Sequence, residues 1–412
     1  MHPSPDLARP LPLLGHAPAF ARDPLALLGA CAGNGDLLTL RLGMHKVYVA
    51  GHPYLVERVW QTDAAHYGPS RLFERIGPLL PSGETSGAVR TRGFQTALLE
   101  ETLRRGSERI RCWRPHTTLD LAAALKQLVL EAVARALFEA PEESRLGPAE
   151  LHPLLGGLEV LLGCPAALAF TASQPNAAQR RLLTSLRELE RASERLERQG
   201  NGLAAQLRAD GLEGSALRAA LRPLLLEAAG VCVSTLTFTV HAVSGLRSLE
   251  ARLLEELGNL PGGTPNARSL IRLPLAERVL LESLRLYPPV WTVARSVRSG
   301  ETWLAGVRLE RGSSVLLPAW LLGRDARHFP QPARFDPDRW TEGAPAPPDH
   351  TFFPLGQLGR PDPLRNPALG CAVLLALEVL RHWRLEPLEA LRLESALVLR
   401  PRGSLRVRLH PR

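Results

Sequence analysis

Apolar residues recur at helical spacing along most of this chain and alternate in only a few short stretches. Asp120–Phe138, DLAAALKQLVLEAVARALF, carries an apolar stripe on a helical period. Residues 178–199, rich in Arg and Glu, read as an amphipathic helix with a solvated charged face, stopped by Gly200-Asn201-Gly202. From Gly214 to about Leu257 the pattern is helical throughout, and LRPLLLEAAGVCVSTLTFTVHAV is apolar on nearly every side, as a buried helix is. Alternation appears in TLRLGMHKVYVA at 39–50, which predicts a strand pair turning near Gly43. Short strands are also expected at Thr302–Leu309 and Ser314–Leu317, and at Ala396–Leu399 and Leu405–Leu409 on either side of Pro401-Arg402-Gly403. No internal repeat is present. The pattern predicts a mainly α architecture with small β-sheets (α+β).

Composition changes this picture little. Apolar residues at 45% and charged residues at 22% describe an ordinary globular chain, and the prolines are spread rather than gathered into a linker. One packed unit spanning 1–412 is expected. The net charge of +9 is carried by arginine, since only Lys46 and Lys126 are lysines, and the basic residues interleave with Glu and Asp instead of forming runs. No nucleic-acid surface is expected from that arrangement. The five cysteines, Cys31, Cys112, Cys164, Cys232 and Cys371, are widely spaced with no CxxC pair, so they predict buried reduced thiols and no metal site. The first twenty residues contain five prolines and no sustained apolar run. They predict neither export nor a membrane span, and hence a cytoplasmic protein.

Three strings carry a more specific signal. Glu282-Ser283-Leu284-Arg285 opens ESLRLYPPVWTVARSV, Phe335-Asp336-Pro337-Asp338-Arg339-Trp340 follows, and the loop FPLGQLGRPDPLRNPALGC runs from Phe353 to Cys371. In this order and spacing they resemble the cytochrome P-450 superfamily, and the overall look is nearest to compact soluble bacterial members such as carotenoid hydroxylases. The resemblance covers most of the chain and implies that family's fold. It also implies a scaffold triad: Glu282 and Arg285 lie one helical turn apart and share a face, and Arg339 would reach them. Arg295 matches a position that meets a haem propionate in the family.

Against the family pattern, three pieces of haem chemistry are missing. With Phe353 and Gly356 opening the haem-loop spacing, Arg360 falls on its arginine and Asp362 on the axial cysteine. A carboxylate is a hard ligand without the electron push of a thiolate. Pro361 and Pro363 flank it, and Leu364 stands where the loop has glycine. In the central helix, Ala229-Gly230 continues as Val231-Cys232-Val233-Ser234, which puts Cys232 at the acid position and Val233 at the oxygen-activating threonine. Ser234 is adjacent, but one residue along a helix turns a side chain by about 100 degrees. Gly87 and Thr91 replace the Trp and Arg of the propionate clamp, with Arg90 and Arg92 as imperfect substitutes. Cys371 lies too far along the following helix to serve as the axial ligand, and His328, His350 and His382 do not hold that position by spacing.

A protein without a cofactor is therefore expected, haem being disfavoured. An interior emptied of haem must be filled, closed or given to a ligand, because voids cost about 20–30 cal/mol per Å³. A residual apolar pocket is expected beside Val233 and Trp291. The leading expectation is a haem-free binding or helper protein that has lost thiolate oxygenation and takes an isoprenoid- or polyketide-like ligand or a partner protein, as haem-free relatives help glycosyltransferases. A second is a non-redox enzyme, for cyclisation or isomerisation, with Asp362 as a buried general acid, although a carboxylate there more simply caps the following helix or pairs with Arg360 or Arg365. A third is a monooxygenase with an unusual iron ligand.

Overall fold

The computed structural model describes residues 10–70, 91–138 and 202–412, together with 156, 158, 184, 187, 191 and 194. Of the helix expected at 178–199, the described residues Thr184, Arg187, Arg191 and Glu194 are helical. Gly87 and Arg90 lie outside the described residues.

Among the described residues seven helices have twelve residues or more: α1 (Arg92–Arg111), α2 (Leu121–Phe138), α3 (Gly214–Glu227), α4 (Val233–Ser244), α5 (Arg247–Gly258), α6 (Pro274–Leu286) and α7 (Pro367–His382). Their mutual packing forms the largest core cluster, in which Leu103, Leu128, Leu137, Leu236, Leu284 and Leu375 are all buried. Burial of each such side chain stabilises the fold by roughly 1.5–3 kcal/mol. Every residue of α7 from Ala368 to Leu380 is buried, so this helix runs through the middle of the bundle rather than along its surface. Asn366 caps its start by accepting the Leu369 N–H at 3.1 Å.

The long apolar run does not stay one regular helix. Pro223 sits inside α3 and has no N–H to donate. Residues Ala228–Cys232 then form a π turn, in which the Val233 N–H bonds back to the Ala228 carbonyl. Such bulges gather at functional sites because they re-aim side chains. The helix resumes as α4 and stops at Gly245 instead of continuing to Leu257. The span Gly214–Ser244 is long and apolar enough to cross a membrane by length and composition, and 78% of its apolar window is buried in the protein interior.

The strands flank the bundle. β1 (Leu37–Leu42) and β2 (His45–Ala50) form the expected antiparallel hairpin, with Gly43 in the left-handed region at φ +63°. They join β8 (Ser314–Leu317), β5 (Val293–Val297) and β3 (Tyr67–Pro69) in a five-stranded sheet of order β1-β2-β8-β5-β3, in which β2 and β8 pair in parallel. β6 (Trp303–Leu304) and β7 (Val307–Arg308) make a small hairpin where one strand signal had been read. β4 (Thr118–Asp120), β9 (Trp383–Pro387) and β12 (Arg406–Pro411) form a three-stranded sheet of order β4-β12-β9. β10 (Leu393–Ser395) pairs with β11 (Leu399–Pro401), so the strand expected at Ala396–Leu399 is the turn and second arm of a hairpin.

One buried acid has a measurable signature. Burial among apolar groups raises the Glu227 carboxyl above its ordinary value, so the folded state holds a proton that the unfolded chain has released. Stability therefore falls as pH rises from the unfolded carboxylate value of 4.5 through the folded one. Glu227→Gln is expected to remove that part of the pH dependence and to raise stability at pH 8, as read by urea unfolding at several pH values.

Candidate functional site

The loop that carries Asp362 is held from both ends. Phe353 is fully buried and meets Trp60 edge-on, with ring centroids 5.7 Å apart. The Val290 N–H donates to the Pro354 carbonyl at 3.0 Å, which ties the loop to the segment leading into β5. Gly356 turns the chain at φ +73°, and a Cβ there would stand 3.0 Å from Val290 Cγ1. At the far end the Pro363 carbonyl would lie 2.9 Å from a Cβ at Gly370, so only glycine lets the loop rest on α7.

Within that frame Arg360 and Asp362 face outward. Arg360 is exposed and pairs with Glu277 at 3.0 Å. Asp362 accepts the Leu364 N–H at 2.8 Å and lies 3.4 Å from Arg365, with 40% of its side chain exposed. This is a turn-forming aspartate before a helix. The burial on which the general-acid expectation rested is absent. Asp362→Asn is accordingly expected to change unfolding free energy by no more than about 1 kcal/mol in a urea titration, the range of a surface ion pair and one turn hydrogen bond.

The triad is densely hydrogen-bonded. Glu282 and Arg285 are buried, and the Arg285 Nε and Nη2 donate to Glu282 Oε2 and Oε1 at 2.9 and 2.7 Å. Arg285 spends its remaining donors on the carbonyls of Gly323, Pro332 and Arg334. Arg339 Nε reaches Glu282 Oε1 at 3.0 Å. Two further partners were not foreseen: the Trp340 indole N–H donates to Glu282 Oε2 at 2.9 Å and the Asp336 N–H to Oε1 at 2.8 Å. The string FDPDRW thus supplies three donors to one carboxylate.

The π turn faces two spaces. On one side Leu98, Thr102, Ala228, Cys232, Ala368 and Cys371 close around a void of about 20 Å³, room for about one water molecule. Both thiols are fully buried, and burial pushes Cys371 up to about 12, so it stays protonated and inert. On the other side a cavity of about 320 Å³ opens between α2, the π turn with α4, and the β10–β11 hairpin. Ala122, Leu130, Ala229, Gly230, Val233 and Leu399 give it apolar walls, and Asp120, Lys126, Glu394 and Arg400 stand among its polar lining. Val233 lines this cavity as expected, but Trp291 does not: it is buried and its indole N–H donates to the Ala396 carbonyl at 2.8 Å, bracing the hairpin. Ser234 is likewise committed, donating to the Leu399 carbonyl at 2.8 Å. The contributions of α2 and the hairpin had no local signal in the sequence, because they depend on which distant elements meet.

Arg295 on β5 is half-buried, and its Nε has no hydrogen-bond partner among the described residues. Burial lowers its pKa, with the neighbouring charge of Arg298 adding to the effect. A cation in that condition is short of an anion. Arg92 opens α1, far along the chain from this strand, and Arg90 lies outside the described residues.

A family model for cytochrome P-450 matches residues 181–357. The pentalenene oxygenase of Streptomyces avermitilis is 28% identical over 80% of this chain and 79% of its own length. The cyclooctatin synthase of Streptomyces melanosporofaciens is 28% identical over 96% of this chain and 92% of its own. The solved haem domain of a cytochrome P-450 and a mutant of it share the fold, the mutant with TM-score 0.77 at 18% identity over 98% of this chain and 96% of that one. The family model and these relatives support the cytochrome P-450 superfamily for this chain. Its architecture is that of the P-450 haem domain.

These findings correct one expectation. A protein without a cofactor had been expected, whereas the family match, the haem-domain neighbours and two relatives named as oxygenases, the pentalenene oxygenase and the cyclooctat-9-en-7-ol 5-monooxygenase of Streptomyces melanosporofaciens (27% identical over 80% of this chain and 78% of its own length), all point to haem. The residues present meet that group only in part. The unpartnered Arg295 Nε suits a propionate carboxylate. The iron side offers no thiolate among the residues considered for it: the loop spacing assigns the axial position to the carboxylate Asp362, Cys371 is sealed in the core, and the family match ends at Gln357, before Arg360 and Asp362.

Proposed function

We propose that this P-450-fold protein binds an apolar, isoprenoid-like molecule in the cavity between α2, α4 and the β10–β11 hairpin, as a cytoplasmic binding or helper protein that has lost thiolate-dependent oxygen activation. The observation that carries the reading is the cavity itself. Its volume of about 320 Å³ and its walls of Ala, Leu, Val and Gly suit a compact hydrocarbon skeleton. The relatives' names support the ligand class, since one is an oxygenase of pentalenene and another a monooxygenase of cyclooctat-9-en-7-ol. The loss of oxygen activation rests on Asp362 at the thiolate position, together with Val233 at the threonine position.

The chemistry left to such a site is recognition. Asp362 is not among the residues that line the cavity, and the carboxylates that do line it are already spent, Asp120 on the Ala123 and Leu405 N–H groups and Glu394 on Arg400. The non-redox acid reading therefore has no support from the geometry. Calorimetric titration with pentalenene and with cyclooctat-9-en-7-ol tests the proposal. Dissociation constants on the order of micromolar are expected for at least one of them. Absence of heat and of thermal stabilisation with both would overturn it.

A further inference from the structure

Thr237 lies one turn after Val233 on α4 and is 1% exposed. It lines the same cavity, and its hydroxyl has no hydrogen-bond partner among the described residues. The contrast with Ser234 on the adjoining turn is informative. Ser234 also faces the cavity, but its hydroxyl is consumed by the Leu399 carbonyl, which fastens the β11 arm of the hairpin to α4. Two small hydroxylated residues thus sit on one wall, one spent on structure and one left open.

An unpaired hydroxyl shut away from water is costly unless a partner arrives. Around it the wall consists of Ala229, Gly230, Val233 and Leu399, none of which carries a side-chain polar atom. The charged residues Glu394 and Arg400 pair with each other at 2.7 Å. The one polar side chain in the cavity lining that is both deeply buried and unspent among the described residues is Thr237.

We infer that Thr237 is a specificity-determining residue that hydrogen-bonds an oxygen of the ligand, so that the cavity prefers an alcohol or ketone of a polycyclic skeleton over the parent hydrocarbon. This inference rests on the ligand-binding reading above and deepens it. The threonine hydroxyl can donate and accept, so either a ligand hydroxyl or a carbonyl satisfies it. Discrimination arises because a hydrocarbon leaves the Thr237 hydroxyl desolvated and unpaired, whereas an oxygenated ligand does not.

The test compares cedrol with cedrene, a tricyclic alcohol and its related hydrocarbon, by calorimetric titration of the full chain. Wild type is expected to bind cedrol about 3- to 10-fold more tightly than cedrene, the size of one neutral buried hydrogen bond. Thr237→Val keeps the shape and removes the hydroxyl, and it is expected to erase that preference while binding cedrene at least as well. Thr237→Ser restores a hydroxyl and is expected to restore the preference. Equal affinities in wild type, or equal weakening of both ligands in Thr237→Val, would overturn the inference while leaving the cavity's ligand-binding role standing. Failure of both ligands to bind wild type would instead overturn the binding reading and this inference with it. Thermal melting of each variant shows that folding is intact, and Thr237→Ser keeps the comparison decisive if valine destabilises α4.

Discussion

Glu282→Ala is expected to destabilise the protein by about 3–5 kcal/mol, enough to leave much of it unfolded at 37 °C. The carboxylate receives five hydrogen bonds, from Arg285, Arg339, Trp340 and the Asp336 backbone, and is fully buried. Removing it strands the buried Arg285 cation with only the carbonyls of Gly323, Pro332 and Arg334. Glu282→Gln is expected to cost less than alanine but still more than about 1 kcal/mol, because an amide keeps one acceptor oxygen and brings two N–H groups against donors. The pair Glu282→Ala with Arg285→Ala should fall well short of the sum of the single losses, since each single change leaves the other charge unpaired. Urea unfolding of the four proteins measures this, and additive losses would show that the residues do not act as one unit.

Val233→Trp is expected to weaken binding of an apolar ligand by about 10- to 100-fold with little change in fold. Val233 lines the cavity and is only partly buried, so an indole there enters empty space rather than the close-packed core. Overfilling such a site costs roughly 1–3 kcal/mol of ligand binding. A control at the small void beside Cys371 should behave in the opposite way. Ala368→Trp is expected to disrupt packing against α1, because only about 20 Å³ is free there. Calorimetry with pentalenene on Val233→Trp, paired with thermal melting of both variants, separates a blocked site from a damaged core. Unchanged pentalenene affinity in Val233→Trp would place the ligand elsewhere.

Much of this was legible in the residues. The all-round apolar run from Leu221 to Val243 marked a central helix, and the β1–β2 hairpin followed from alternation with glycine at the turn. The spacing of Glu282 and Arg285 announced a shared face. The π turn at Ala228–Cys232 was not legible, because a change from i−4 to i−5 bonding leaves the apolar pattern almost untouched. Nor was the helix stop at Gly245, where the periodicity continues across the break into α5. Strands β4 and β9 are too short to alternate visibly, and they exist because β12 pairs with both.

The site divides in the same way. Val233 was placed on the ligand cavity from a motif position, but Trp291 was misplaced, because a sequence cannot show that its indole N–H turns to the Ala396 carbonyl. Asp362 was read either as a buried general acid or as a residue that caps the following helix or pairs with Arg360 or Arg365, and the pairing with Arg365 is what the structure holds. In this chain the residue sits in a turn between two prolines, bonded to the Leu364 N–H and beside Arg365, and the solvent reaches it. Whether a carboxylate is buried depends on the loop's path over α7, which is set by contacts such as Pro363 with Gly370. The expectation of no cofactor failed for a different reason. It inferred the absence of haem from three local departures, at Asp362, Val233 and Gly87, while the family match spans 181–357 and the haem-domain fold 98% of the chain.

The most direct measurement is the visible spectrum of the protein purified from haem-replete cells, reduced under carbon monoxide. With Asp362 at the position that the loop spacing assigns to the axial ligand, no long-wavelength band of a thiolate-ligated haem is expected, whatever haem the protein takes up. Appearance of that band would mean that a cysteine reaches the iron and that the chain is an oxygenase after all.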